Sequence, residues 1–140
     1  MTIKYNNVFI EDAYTICGNY ENDGPLSKYF DKKYEKDLYF GEKSWEQAEV
    51  HLLKEANTNI LKKNKLKEED IDLLISGDLQ NQIAASNYMA REFNIPFLGI
   101  FEACSTSGEG LAIGSTYIEG GFAKKILVST SSHNMAAEKQ

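Results

Sequence analysis

The chain of 140 residues has the size of one domain, and hydrophobic residues make up 42% of it, enough for a buried core. Its formal net charge of −6, from 21 acidic and 15 basic residues, argues against a nucleic-acid partner, because phosphate binding requires a basic surface. No apolar run approaches the roughly 20 residues that span a bilayer, and the first residues lack the pattern of a signal peptide.

The first part of the chain predicts a strand, a long connection and a helix. Val8–Ile16 mixes β-forming and polar residues, so we expect a strand there. Asn19–Gly41 has no clean period and predicts a loop that contains at most one short helix. Ser44–Lys63 predicts a helix, because Ser44 and Gln47 form an S-x-x-Q capping box. Its apolar face is expected to consist of residues at helical spacing: Trp45, Ala48, Leu52, Ala56 and Ile60.

The rest of the chain alternates short apolar runs with helical patterns. The predicted strands are Ile71–Ser76, Pro96–Phe101 and Ile126–Ser132, and the predicted helices between them are Asn81–Phe93 and Thr106–Ile118. Thr106 and Glu109 offer a T-x-x-E capping box for the last helix, whose small apolar body we expect to be buried on several sides. Continuous apolar strands that alternate with helices are typical of a parallel sheet. The sequence therefore predicts an α/β fold of order β-loop-α-β-α-β-α-β, with helices on both faces of a parallel-rich sheet.

Polar side chains follow three of the predicted strands. They belong to the stretches Ser76–Asn81 (SGDLQN), Glu102–Ser107 (EACSTS) and Ser131–Asn134 (SSHN). The carboxyl ends of parallel strands lie along one edge of a sheet, where ligands bind. We therefore expect one site with contributions from Asp78, Asn81, Cys104, Ser105, Thr106, Ser107, Ser132, His133 and Asn134.

Cys104 lies between a predicted strand and a predicted helix N-terminus, and three interpretations of it stay open. The unpaired N–H groups of the helix favour a thiolate nucleophile. The same N–H groups would stabilise a bound carboxylate, which makes the cysteine part of a pocket wall. The third interpretation is a structural cysteine at a crowded turn. The G-x-S-x-G elbow of α/β-hydrolases is not matched, since Glu102 and Thr106 replace the glycines.

The remaining titratable candidates are two histidines and an aspartate. His133 could act as a base for Cys104, although a histidine after a strand is more often only hydrogen-bonded. Asp78 follows Gly77, which would permit an unusual backbone turn, and is either a functional group or a helix or turn cap. His51 lies among charged residues and is expected on the solvated side of its helix.

No metal-binding spacing is present, so we expect no metal and no cofactor. Two cysteines indicate free thiols in an intracellular compartment.

Six stretches, taken together and in order, resemble the N-terminal half of the thiolase fold. Within that superfamily they resemble the stage V sporulation protein AD family. The stretches are GPLSKYFDKKY, KSWEQAE, LKEEDIDLLISGDLQNQ, NIPFLGIFEACSTSGEGLAI, IEGGFAKKILVSTSSHN and AAEKQ. The resemblance implies a single N-terminal thiolase-like domain over residues 1–140, half of a duplicated fold. The chain would then be a fragment or truncated product of a larger two-half protein.

The resemblance also implies a ligand and a place of action. The ligand is dipicolinic acid, pyridine-2,6-dicarboxylate, which such proteins help to move into the developing spore. The implied partners are membrane proteins of the same sporulation operon, and the implied location is the spore inner membrane, as a peripheral subunit. Asp78 in SGDLQNQ and Cys104 in EACSTS match the region where the family is taken to hold its ligand. The second half of condensing enzymes, which carries the partners of the cysteine, has no counterpart here, so we expect no enzymatic activity.

Three functions are therefore weighed. A dicarboxylate-binding protein fits the hydroxyl donors of Ser105, Thr106 and Ser107, with a bound calcium ion as one way to offset the negative net charge. An acyl-transfer enzyme would form a thioester on Cys104, with helix N–H groups stabilising the oxyanion. An inactive half-domain would expose apolar surface and associate as a homodimer.

Overall fold

The computed structural model describes residues 2–137, in which short strands alternate with helices. The strands are β1 (Ile16–Cys17), β2 (Lys32–Lys33), β3 (Leu73–Gly77), β4 (Phe97–Gly99) and β5 (Ile126–Thr130). The helices are α1 (Asn19–Asn22), α2 (Trp45–Lys63), α3 (Ala84–Ala90), α4 (Thr106–Glu119) and α5 (Asn134–Ala137). Single 3₁₀ turns occur at Ser27–Tyr29, Glu68–Asp70, Asn81–Ile83 and Ala103–Ser105.

The main sheet consists of three parallel strands in the order β4-β3-β5. Ser76 of the central strand β3 lies opposite Gly99 in β4 and opposite Ser129 in β5. Since the three strands run in the same direction, their carboxyl ends lie along one edge. The predicted parallel α/β architecture is confirmed, and it places the three candidate loops at that edge.

Side chains of β3 and β5 alternate between two helix layers. Leu74 packs with Met89 of α3 in the hydrophobic core on one face. Ile75 and Val128 point to the other face and meet α4 at Gly110, where a Cβ would lie 2.6 Å from Cγ1 of Val128. The absence of a side chain at Gly110 therefore allows α4 to lie directly on the sheet. Helices on both faces were predicted and are observed.

Helix α2 begins as predicted but buries a different face. Ser44 is its N-cap, and Oγ of Ser44 accepts a hydrogen bond from the backbone N–H of Gln47 at 3.2 Å. The predicted apolar face is wrong except for one residue, because the buried stripe is Ala48, Glu49, Leu53, Asn57 and Leu61. The two polar side chains of this stripe are buried because each has a partner. Nδ2 of Asn57 lies 3.1 Å from Sδ of Met89, and Glu49 is bonded as described below.

Helix α4 ends as predicted, with Gly121 in the left-handed region at φ +76°. The predicted capping box is wrong, since Thr106 is already helical and its Oγ1 donates to the carbonyl of Ala103 at 2.8 Å. Burial on several sides is also wrong for this helix. Its buried residues are Thr106, Gly110 and Gly114, while Leu111 and Tyr117 are 46% and 41% exposed.

The predicted strand Val8–Ile16 is wrong for most of its length. Only Ile16 and Cys17 pair, and they pair with β2 in a separate two-stranded parallel sheet. The residues before them are held by side chains: Lys63 Nζ lies 2.9 Å from Oδ1 of Asp12. A β-forming sequence becomes a strand only where a partner backbone is in reach, and ion pairs fix this segment instead.

Two further segments have a secondary structure that differs from the prediction. The connection Asn19–Gly41 contains α1, a 3₁₀ turn and β2, so it is more structured than a loop with one short helix. The predicted helix Asn81–Phe93 is shorter, because α3 spans Ala84–Ala90. Gln82 and Ile83 have φ of +58° and +49°, and left-handed residues interrupt a right-handed helical ladder.

Candidate functional site at the carboxyl edge of the sheet

Gly77, at the end of β3, allows two neighbouring segments to approach. A Cβ on this residue would lie 2.3 Å from the carbonyl oxygen of Ile100 and 2.6 Å from Cγ2 of Thr106. The expectation of an unusual turn is wrong, since Gly77 does not adopt a positive φ. Glycine is needed here for close contact between β3, the end of β4 and the start of α4. Asp78 and Cys104 consequently follow strand ends at the same edge of the sheet.

Asp78 is 1% exposed and holds the loop after β3. Its Oδ1 accepts the backbone N–H of Gln80 at 2.8 Å, and its Oδ2 accepts the N–H of Ser86 at 2.7 Å. The second bond reaches into α3, so one carboxylate fixes the turn between strand and helix. The cap interpretation of Asp78 therefore has direct geometric support, and a ligand contact of this residue stays a prediction.

A buried carboxylate that the sequence analysis missed lies beneath this loop. Glu49 of α2 is 0% exposed. Its Oε2 accepts the side-chain amide of Gln80 at 2.8 Å, and its Oε1 accepts the hydroxyl of Ser131 at 2.9 Å. We call these three residues the Glu49 cluster. One pattern in the sequence could have indicated that Glu49 is buried: it precedes Leu53 and Asn57 at intervals of four, so the three residues lie on the same face of α2.

Burial raises the pKa of the Glu49 carboxyl, because the charged form loses its hydration. The hydrogen bonds from Gln80 and Ser131 favour the ionised form and offset part of this effect. The nearby Asp78 carboxylate adds to the rise, and His133 acts in the opposite direction. Glu49 is thus a buried carboxyl whose pKa lies above that of an exposed glutamate.

His133 joins the loop after β5 to the segment before α2. Its Nε2 donates to the carbonyl oxygen of Leu38 at 2.9 Å, and its ring meets Phe40 edge-on at 5.8 Å between centroids. Its Nδ1 is buried without a hydrogen-bond partner. Within the described residues, His133 and Cys104 form no hydrogen bond with each other. The pairing of His133 as a base for Cys104 stays a prediction.

The segment before α4 presents its polar side chains outward. Cys104, Ser105 and Ser107 are exposed, whereas Thr106 is buried and its hydroxyl both donates to Ala103 and accepts the N–H of Glu102. The hydroxyl of Ser105 donates to the carbonyl of Glu102 at 2.9 Å. Cys104 is a free thiol at the surface, so the interpretation of a cysteine packed in a crowded turn does not describe it.

The three loops meet through the loop after β3. It contacts the start of α4 at Gly77 and the β5 loop through the Glu49 cluster. The remaining predicted residues, Asn81, Ser132 and Asn134, are exposed at the same edge. The three predicted loops therefore meet at one edge. The predicted residues divide into a buried support (Asp78, Thr106, His133) and an exposed rim (Asn81, Cys104, Ser105, Ser107, Ser132, Asn134).

A cavity of about 590 Å³ runs along the whole length of β5, from Lys124 to Ser132. It is bounded by residues 8–16, by the Leu52, Ala56 and Ile60 side of α2, and by α4 and β5. Ser131 and Ser132 belong to its lining, whereas Asp78, Cys104 and His133 do not. The β5 loop therefore faces both the Glu49 cluster and an open space.

Residues 2–137 contain no group of three or more His, Cys, Asp or Glu side chains arranged to hold a metal ion. In the same part of the chain, the helices are too short or too polar to cross a membrane.

Comparison with solved structures shows the type of fold. The chain is similar to 3-oxoacyl-[acyl-carrier-protein] synthase III from Aquifex aeolicus VF5, with a TM-score of 0.55 and 23% sequence identity. The similarity covers 61% of this chain and 30% of the synthase chain. The α/β fold is thiolase-like, as the sequence analysis predicted.

Comparison of sequences is more specific. Stage V sporulation protein AD of Bacillus subtilis (strain 168) is 50% identical over 133 residues, which is 95% of this chain and 39% of that protein. The chain thus spans about two fifths of the length of this relative. The model of the family described as stage V sporulation protein AD matches residues 1–140. The chain therefore belongs to the stage V sporulation protein AD family, a family of sporulation proteins.

Proposed function

We propose that the chain binds dipicolinic acid at the carboxyl edge of its sheet and takes part in moving that compound into the developing spore. The observation that carries the proposal is the exposed rim of Cys104, Ser105 and Ser107 at the N-terminus of the 14-residue helix α4. Unpaired N–H groups and the positive end of a helix dipole stabilise carboxylates. Membership of a sporulation family supports the biological role.

The buried residues support this rim. Asp78 fixes the loop after β3, and the Glu49 cluster joins that loop to the β5 loop, so two of the three loops at this edge are held together. A planar dianion with two carboxylates needs donors from two directions. The α4 N-terminus offers one set, and the exposed hydroxyl of Ser132 in the β5 loop is the candidate for the other. A calcium ion bound with the ligand would reduce repulsion by the negative net charge of −6.

The proposal extends to partners and location. We place the protein at the spore inner membrane as a peripheral subunit that acts with membrane proteins of the same operon. Association with such proteins accounts for a role in transport without a spanning helix of its own among residues 2–137.

An acyl-transfer role has weaker support. It requires a base for Cys104, and the nearest candidate in sequence, His133, uses its Nε2 to bind Leu38. The hydroxyl and N–H groups of the rim can bind a carboxylate by hydrogen bonds alone, and this binding requires no base.

Calorimetric titration with dipicolinate tests the binding role, with the monocarboxylate pyridine-2-carboxylate as ligand control. We expect binding in the micromolar range or weaker, and weaker still for the monocarboxylate. Ser107→Ala should weaken binding about tenfold through loss of a hydrogen bond to a charged group. Ser27→Ala, in a 3₁₀ turn of the connection before β2, is the matched control and should leave binding unchanged. Equal binding of both ligands, or of both variants, would contradict the proposed site.

A further inference from the structure

Three sequence patterns that predict burial or strand pairing are unsatisfied in the structure, and all three border one cavity. Residues 8–16 have the composition of a strand, but only the last of them belongs to one. Leu52, Ala56 and Ile60 of α2 have the spacing of a buried face, yet they are only half-buried. Leu111 of α4 is 46% exposed. Each of these groups lines the 590 Å³ cavity along β5, which we call the slot.

One wall of the slot is β5, at the edge of the main sheet. Among residues 2–137, only β3 pairs with it. The backbone N–H of Ser131 donates to the carbonyl of Gly77 at 3.4 Å, on the β3 side. Because N–H groups alternate in direction along a strand, those of Val128 and Thr130 point away from β3 and toward the slot. β5 therefore presents unpaired backbone groups to the slot.

The opposite wall is the segment before β1, which side chains hold at both ends. Glu119 of α4 accepts the backbone N–H of Asn7 at 3.2 Å. Asp12 is paired with Lys63 of α2 at 2.9 Å. Between these contacts, the backbone N–H and carbonyl groups of residues 8–11 make no hydrogen bond to any part of the chain that the structure describes. The slot thus lies between two lengths of unpaired backbone, which require partners when they are buried.

The dimensions of the slot fit one strand. A strand rises about 3.3 Å per residue, strands lie about 4.8 Å apart and layers about 10 Å apart, so one residue occupies about 160 Å³. The slot of 590 Å³ therefore has room for about four residues, close to the five of β5. Its other two sides are helices that present apolar side chains: Leu52 and Ile60 from α2, and Leu111 and Ile118 from α4. A strand that is apolar on both faces fits such a space.

The occupant is not one of the described strands. β3 and β4 lie in the main sheet with β5, and β1 pairs with β2. Outside the described range, Met1 and residues 138–140 are one and three residues long, shorter than the roughly four that the slot holds. An acyl chain would fill the apolar space but would leave the backbone groups of both walls without partners. A peptide strand supplies apolar side chains and backbone partners together.

We propose that the slot binds an extended apolar peptide strand that another polypeptide supplies. The added strand pairs with β5 on one side and with residues 8–11 on the other, so that it continues the main sheet by β-augmentation. Its side chains alternate between the α2 face and the α4 face. This inference is independent of the proposed function, because Cys104, Ser105 and Ser107 do not line the slot.

The test is the binding of the synthetic peptide KLVIVLK, acetylated and amidated, to the wild-type chain by fluorescence anisotropy. Its five apolar residues match the length of β5, and its lysines keep it in solution. The control peptide KLVPVLK has the same charge, but proline has no N–H and cannot pair within a sheet. We expect the control to bind at least about tenfold more weakly through the lost hydrogen bond. Equal affinity of the two peptides overturns the proposal.

Hydrogen exchange locates the bound peptide. With KLVIVLK bound, the amides of residues 8–11, Val128 and Thr130 should exchange at least about tenfold more slowly, because they become paired. Unchanged exchange at these amides, with the peptide bound, overturns the pairing. Both measurements use the wild-type chain, so they do not depend on the folding of a variant.

Two variants of α4 test the slot itself. Leu111→Glu places a charge against the apolar strand and should weaken KLVIVLK binding at least about tenfold. Tyr117→Glu is the matched control, because Tyr117 is 41% exposed on the same helix, contacts Phe122 and does not line the slot. It should keep the wild-type affinity. Equal affinity of the two variants, with unchanged circular dichroism, contradicts the assignment of the slot.

Competition identifies other occupants. Octanoate is the probe for an acyl chain, and sedimentation measures a second copy of this chain. We expect KLVIVLK to displace octanoate and to dissociate any dimer formed through the slot. Octanoate that the peptide does not displace, or a dimer that it does not dissociate, overturns the proposal.

Discussion

Replacing Gly77 by alanine should destabilise the protein and disturb the site together. The new Cβ would lie 2.3 Å from the backbone oxygen of Ile100 and 2.6 Å from the Thr106 methyl group. The first obstacle is backbone, so no side-chain rotation can relieve it. Overpacking of this kind lowers the free energy of unfolding by up to about 3 kcal/mol. Alanine also reduces the conformational entropy of the unfolded chain, which raises the free energy of unfolding by up to about 1 kcal/mol. We expect a net loss of about 2 kcal/mol.

Gly108→Ala is the control in the same region. Gly108 lies in the first turn of α4, and nothing outside its own stretch of helix lies within 4 Å of the position that an alanine Cβ would take. Alanine should therefore stabilise by about 0.5 to 1 kcal/mol through helix propensity. Urea unfolding followed by circular dichroism and by the fluorescence of Trp45 measures both variants. With a slope of about 2 kcal/mol/M, the midpoint of Gly77→Ala should fall by about 1 M. A midpoint equal to that of the wild type would refute the close-approach argument.

Four further outcomes follow from the structure. Asp78→Asn should lower the free energy of unfolding by about 1 to 3 kcal/mol, because an amide NH₂ replaces one acceptor of a backbone N–H; a change within error in urea unfolding would contradict this. Leu53→Ala, in the core against α3 and β3, should cost about 2 to 5 kcal/mol by the same assay. The hydrogen bond from Lys63 lowers the pKa of Asp12 from 3.8 to about 2, so the stabilisation from this pair is complete above pH 3.8 and is lost as the pH falls through about 2. Carboxyl NMR should show the Asp12 pKa returning toward 3.8 in Lys63→Met, and an unchanged titration would refute the pairing. Incubation with acetyl-coenzyme A should leave Cys104 unmodified by intact mass, and a stable acyl adduct would favour an acyl-transfer role instead.

Much of the architecture was predictable because it depends on local pattern. Apolar runs such as IDLLIS and PFLGIF, separated by helical segments, predicted a parallel sheet, and β3, β4 and β5 confirm it. Ser44 caps α2 as its capping box indicated, and Gly121 ends α4. The edge where the loops meet follows from strand direction alone, so sequence reasoning placed Asp78 and Cys104 on it.

The secondary-structure predictions were wrong where contacts with residues distant in sequence determine the local conformation. Val8–Ile16 has strand-forming residues, yet only Ile16 and its neighbour find a pairing backbone. Helix Asn81–Phe93 has helical residues, but the turn at Gln82 and Ile83 delays α3 until Ala84.

The amino-acid sequence by itself determined the fold class and the set of loops at one edge, because hydrophobic periodicity and the alternation of strands with helices are local properties of the chain. The family was indicated by the resemblance of six sequence stretches. Only the tertiary structure revealed that Glu49 is buried, that Asp78 supports a loop, and that Gly77 is required for contact with Ile100. A glutamate on a helix is ordinarily solvated, because burial of its charge is costly. Gln80 and Ser131 reduce that cost, but they are 31 and 82 residues away in sequence, and folding alone brings them to it.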